Sequence, residues 1–204
     1  MSQSQHPRTD LRSQRLKITH LAGTLFLLAG IIFTIFNTIA ESIYPGFNVG
    51  KDALSDLGAS GYNTTLLWDG QLFIVSMLGL LAVTLLLFRS SLSEYLQGTL
   101  IRILYLLPGI GSLIVSLVPH NMVLWVHSLG AFLTFVFGAI SAIYAFRFTK
   151  APFRYFSLLL GIVSLVAISF FGDPSILGFG GVERIVVYPF TIWGIAFGAY
   201  LTAF

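Results

Sequence analysis

Apolar residues run along this chain in six long blocks separated by short polar stretches. The blocks cover residues 18–40, 66–88, 101–118, 123–146, 153–171 and 185–204. A helix that crosses the roughly 30 Å hydrocarbon layer needs about 20 mostly apolar residues, and each block comes close to that length. Lipid offers backbone N–H and C=O groups no partner, so such segments satisfy them internally as helices. The pattern predicts an all-α integral membrane bundle of six transmembrane helices. The first block is too long for a signal peptide, and no small-residue cleavage site follows it. Residues 1–17 are polar and predicted to form a disordered cytoplasmic tail. Residues 18–204 then make one transmembrane domain whose longest loop covers 41–65.

Composition agrees with this pattern. Of the 204 residues 56% are hydrophobic and 9% charged, against about 25% charged in a soluble domain. Too few charges remain to coat a surface that faces water. With no cysteine, disulfides, thiolate nucleophiles, Fe–S clusters and Cys-based zinc sites are excluded. The net charge of +3 matters for its distribution. With both termini inside, the cytoplasmic side receives Arg8, Arg12, Arg15, Lys17, Arg89, Arg102, Arg147, Lys150 and Arg154, and the other side keeps Lys51 and Arg184. Basic loops stay in the cytoplasm, so the chain is expected in the cell membrane, multi-pass, N-terminus inside. Asp10 and Glu94 lie inside, whereas Glu41, Asp52, Asp56, Asp69, Asp173 and Glu183 lie outside. A basic balance of this kind reports topology and no nucleic-acid partner.

Gly194 and Gly198 in the last block have the Gly-x-x-x-Gly spacing that lets helix backbones approach closely. Two uses stand open, a contact inside the bundle and a homo-oligomer face. No internal repeat suggests an inverted-repeat transporter.

Candidate chemistry gathers in the 41–65 loop. Tyr44-Pro45-Gly46 is a turn signal. Asp52 is placed to cap a short helix stopping at Gly58. In such a helix Asp52 and Asp56 share one face and repel by a few tenths of a kcal/mol. One reading is an interfacial helix with solvated acids. The other turns Ser55 and Asp56 inward to line a site at the outer membrane boundary.

The stretch from Tyr44 to Gly58, ending Leu-Ser-Asp-Leu-Gly, resembles a family of multi-span membrane proteins, the domain-of-unknown-function family 998. Two further pieces carry the resemblance in the same order. They are Pro119-His120 followed by His127-Ser-Leu-Gly-Ala, and Gly181-Val-Glu-Arg-Ile opening the last block. The resemblance implies a multi-span fold and candidate site residues, and supplies no reaction.

Physical reading selects the same residues. Ionisable groups at membrane depth are costly and usually face the bundle interior. Asp56, His127 and Glu183 are the candidate catalytic groups, and Ser55, Arg184 and His120 the candidate substrate-binding groups. Each also has a plain structural reading. His127 suits a neutral ring bonded to a neighbouring helix. Glu183 suits a helix's first turn, favoured by the dipole. Arg184 suits a pair with Glu183 or a loop aspartate. The Gly178–Gly181 run permits either a tight loop approach or a simple turn. Asn37 and Thr34 in the first block would extend an outer cavity.

Cofactors are thinned by spacing. On one helix His120 and His127 would be about 10 Å apart along the axis, too far to share a zinc with bonds of about 2 Å. Only a non-helical turn at Pro119 brings His120 back, and a metal site would need His127 with Asp56 or Glu183. His20 and His127 lie at opposite membrane faces, which argues against a bis-His haem. No block holds the lysine a retinal Schiff base requires, and no phosphate loop or catalytic elbow is present. Two functions follow. One is a membrane protein whose polar outer site binds or acts on a lipid or lipid-linked substrate. The alternative is a non-enzymatic module, a sensor, transport accessory or assembly partner.

Overall fold

The computed structural model describes residues 6–172 and 175–203. Six α-helices follow in order: α1 His6–Ile43, α2 Thr65–Phe88, α3 Thr99–Leu117, α4 Leu124–Ala145, α5 Phe153–Ser169 and α6 Gly178–Thr202. Short 3-10 helices occupy Leu54–Gly58 and Phe170–Gly172, and the described residues form no strand. All but α5 are long and apolar enough to cross a membrane. The 17 residues of α5 span about 25 Å at 1.5 Å per residue, so α5 reaches bilayer thickness only with the 3-10 turn that continues it.

The helices pack in sequence order around a ring that closes where α6 meets α1, and α4 touches α6 across the interior. This up-and-down path sends the loops to two ends. One end carries Glu41, Asp52, Asp56, Asp69 and Glu183, and is called here the acidic end. The opposite, basic end carries Arg89, Arg102, Arg147, Lys150 and Arg154. Asp173, assigned to the acidic side from sequence, lies outside the described residues, as do residues 1–5 and Phe204.

Helix starts depart from the sequence pattern in two places. The expected tail over 1–17 is helical from His6 onward. Leaving the bilayer does not end a helix that lacks a breaker, and two contacts hold its turns at the basic end. Arg15 pairs with Glu94 at 3.1 Å, and the Thr19 hydroxyl meets Ser91 Oγ at 2.9 Å. The last helix starts at Gly178, seven positions before the expected 185. Gly178 turns the chain with φ +70°, and a Cβ there would run into the Gly50 carbonyl. Glu183 and Arg184 therefore sit in the second turn of α6, past the reach of the first-turn dipole argument.

Two apolar clusters fill the ring. Toward the basic end lie Leu86, Leu87, Tyr105, Phe148, Trp193 and Phe197, among others. Their rings stack in a run from Trp193 to Phe197 at 5.0 Å, Phe197 to Phe153 at 5.9 Å and Phe153 to Tyr200 at 4.8 Å. Toward the acidic end lie Phe33, Leu54, Leu57, Trp68, Leu72, Val115 and Val187. Gly198 is used between α1 and α6: a Cβ there would stand 2.6 Å from the Gly23 carbonyl. Gly194 meets nothing within 4 Å, because it borders a cavity.

Candidate functional site

The cavity lies between the two clusters, inside the ring, with a volume of about 170 Å³. Residues of α1, α2, α3, α4 and α6 enclose it, and α5 stands outside. Most of its wall is apolar, including Phe26, Phe33, Leu72, Val83, Phe135 and Phe190. Its polar groups are few. Ser55, His127 and Glu183 come from the acidic end, while Ser76, Ser112, Thr134, Ser141 and Thr191 dot the helices.

The 44–64 loop closes the acidic end. Tyr44 stacks on Tyr62 at 4.9 Å between ring centroids. The Tyr44 hydroxyl is pushed up to about 12 by burial first, then by the Tyr62 hydroxyl and the nearby Asp56 and Asp52 charges. In the 3-10 helix Leu54–Gly58, residues three apart lie above one another, so Leu54 and Leu57 both enter the core. Ser55 then faces the cavity. Asp56 turns to the helix start, where the Ala53 N–H donates to its Oδ2 at 2.8 Å. Gly58 lies flat against Trp68 and Asp69, leaving no room for a Cβ. The Leu-Ser-Asp-Leu-Gly motif thus assigns each residue a separate contact.

Asp52 does not cap that helix, as the sequence suggested. Ala53 occupies the cap position, and Asp52 instead accepts the Asn48 N–H at 2.6 Å. A five-residue 3-10 segment is too short to include Asp52, so the two acids never share a helix face.

Two neighbouring residues of α6 fasten this loop. Glu183 Oε2 accepts the N–H groups of Leu54 and, at 3.4 Å, Ser55. These are first-turn donors, which have no partner within their own helix. Arg184 Nη1 donates to the carbonyls of Val49 at 2.8 Å, Asp52 at 3.1 Å and Gly180 at 2.9 Å. Its Nη2 donates to Glu41 Oε1 at 2.7 Å. That same oxygen takes Asn37 Nδ2 at 3.2 Å, and Asn37 Oδ1 takes the Trp68 indole N–H at 3.2 Å.

Arg184 was expected among the substrate-binding groups, and the structure gives its contacts. It is buried, 7% exposed, is absent from the cavity wall, and spends its fork on loop carbonyls and Glu41. Its ion-pair partner is neither Glu183 nor a loop aspartate. Asn37 and Thr34 also differ from expectation. Asn37 bridges Trp68 to Glu41, and the exposed Thr34 bonds its own helix at Gly30, so neither widens the cavity.

The histidines meet through a turn. Because α3 stops at Leu117 and α4 begins at Leu124, His120 is free of both helices and its ring comes 5.8 Å from that of His127. His120 Nε2 faces Asp56 Oδ1 at 3.4 Å. His127 Nδ1 lies 2.8 Å from the Val118 carbonyl. A carbonyl only accepts, so Nδ1 carries the hydrogen, and Nε2 of the neutral ring holds the free lone pair. Asp56 and His120 stay behind His127 and do not line the cavity. Among the described residues no group of three or more His, Asp or Glu is gathered as a metal ion requires.

Sequence reading missed the hydroxyls in the spans. Ser76 and Ser112 meet at 2.7 Å across α2 and α3, yet each looks like an ordinary small residue in an apolar block. The tight approach of α2 and α3 shows at Gly109, where a Cβ would press on Leu80.

These features define a polytopic helical membrane protein with a loop-capped cavity between its helices. The family described as "Protein of unknown function (DUF998)" matches residues 27–200, which include every candidate residue. The chain belongs to that family. No curated protein matches it, and no solved structure does.

Proposed function

We propose that the chain resides in the cell membrane with its basic end in the cytoplasm, and that it binds the apolar part of a lipid or lipid-linked molecule in its cavity. The polar part is presented to Ser55, His127 and Glu183 at the extracytoplasmic end. The observation that carries this reading is convergence: three residues from the loop, α4 and α6 border one end of a mostly apolar chamber. A dry cavity of about 150 Å³ takes a benzene-sized molecule. One of about 170 Å³ fits a single segment of a chain or ring, and it is no conduit for a polar solute. Support for an enzyme reading comes from His127, which lines the cavity with its Nδ1 turned to Val118 and its Nε2 left to accept a proton.

The alternative, a non-enzymatic membrane module, draws support from Glu183 and Arg184, whose bonds hold the loop. Lipid profiles of cells with and without the chain separate the two. The enzyme reading expects a specific lipid to accumulate when the chain is absent. An unchanged profile, with lipid still co-purifying with the protein, leaves binding without turnover.

A further inference from the structure

The proposed ligand has an end that must meet the polar groups at the cavity mouth, and those groups are unequal in kind. Glu183 is a carboxyl group that accepts hydrogen bonds when ionised. In the neutral His127 ring the hydrogen on Nδ1 is committed to Val118, so Nε2 is an acceptor. Ser55 has one hydroxyl, able to do either. Among the described residues lining the cavity there is no lysine or arginine. The nearest guanidinium, Arg184, is buried and bound to three carbonyls and Glu41.

We infer that the ligand's polar end is an uncharged hydrogen-bond donor, a hydroxyl-bearing lipid rather than one carrying a phosphate. This rests on the reading of the cavity as a lipid site. A phosphate placed there would face acceptors and the Glu183 carboxyl with no cation to offset its charge. A hydroxyl donates to Glu183 or His127 Nε2 and accepts from Ser55. A phosphate buried there without a counter-charge binds about tenfold or more weakly than the hydroxyl.

Two tryptophans make this measurable. Trp68 and Trp193 line the cavity and are 4% and 3% exposed, whereas the third, Trp125, is 71% exposed. The full chain carrying Trp125→Phe is placed in phosphatidylcholine nanodiscs and titrated with a brominated medium-chain alcohol or with its phosphate monoester. Bromine quenches the remaining emission only where it reaches the cavity. The expected result is half-maximal quenching by the alcohol at a membrane concentration about tenfold or more below that of the phosphate. Gly194→Leu or Gly79→Leu, which place a side chain in the cavity, should abolish it. Equal or stronger quenching by the phosphate overturns the head-group inference and leaves the lipid site standing. No quenching by either probe, or quenching unchanged in both leucine variants, overturns the lipid site itself.

Discussion

Glu183 accepts the backbone N–H of Leu54 from 129 positions away in sequence, so one side chain of α6 caps the short helix that roofs the cavity. The pair explains why an acid tolerates this depth. It supplies the acceptor that the loop's first-turn donors lack. Glu183→Ala should leave the Leu54 and Ser55 N–H groups buried without partners, at about 1–3 kcal/mol for each buried donor. Glu183→Gln keeps an oxygen in place and should lose less. Thermal unfolding in detergent together with amide exchange over residues 53–58 gives the ranking; faster exchange in the glutamine variant than in the alanine variant would contradict the capping role.

Arg184 is predicted to act on the loop and not on a ligand. Arg184→Ala leaves the Val49 and Asp52 carbonyls and the partly buried Glu41 carboxyl without their shared donor, and breaking one side of a fully buried pair costs about 3–5 kcal/mol, an upper bound for this half-open site. Arg184→Lys should recover little, because an ammonium lacks the planar fork that reaches Nη1 and Nη2 partners together. Limited proteolysis within residues 48–53 should quicken in both variants. A well-closed loop in Arg184→Ala with lost ligand binding would return the residue to head-group recognition.

Gly58→Ala tests the flat contact under the roof. Its Cβ would press on Trp68 and Asp69, and overpacking of this kind costs about 1–3 kcal/mol. Trp68 should move toward a wetter environment, seen as a red shift of its emission in the Trp125→Phe background. Unshifted emission with normal stability would show that Trp68 does not lie against Gly58.

How far these contacts could be read in advance depends on what fixes each one. The spans follow from local composition, because lipid leaves a long apolar block little choice but helix. The loop motif marked the segment that closes the acidic end, since the contacts of Leu54, Asp56 and Gly58 lie within a few positions of one another. The partners of Glu183 and Arg184 did not show, because they are backbone atoms of residues 49–55, and any sequence offers those. Asp52 misled for a related reason: its cap-like position fits a longer α-helix, and the segment is a 3-10 turn that begins two residues later. The hydroxyls of Ser76 and Ser112 were hidden by their size, and only the ring of helices turns them toward each other. His120 was legible as a condition, since a turn at Pro119 was the one route to His127.

Filling the cavity should separate stability from function. Gly194 and Gly79 both line the cavity, and a Cβ at either meets nothing within 4 Å. Replacing a mid-helix glycine with alanine gains roughly 0.5–1 kcal/mol from reduced chain entropy. A leucine at either position adds apolar contacts within the empty space, provided its rotamer avoids the Trp193 and Phe190 rings nearby on α6. Both variants are therefore expected to unfold at equal or higher temperature than the parent in detergent. They should also lose any lipid that co-purifies with the parent, measured by mass spectrometry of the extracted protein. Stability and ligand would then move in opposite directions, which general misfolding does not produce. If Gly194→Leu and Gly79→Leu both retain the full lipid complement, the molecule is held on the outer surface of the bundle, and His127 faces an interior that the ligand never enters.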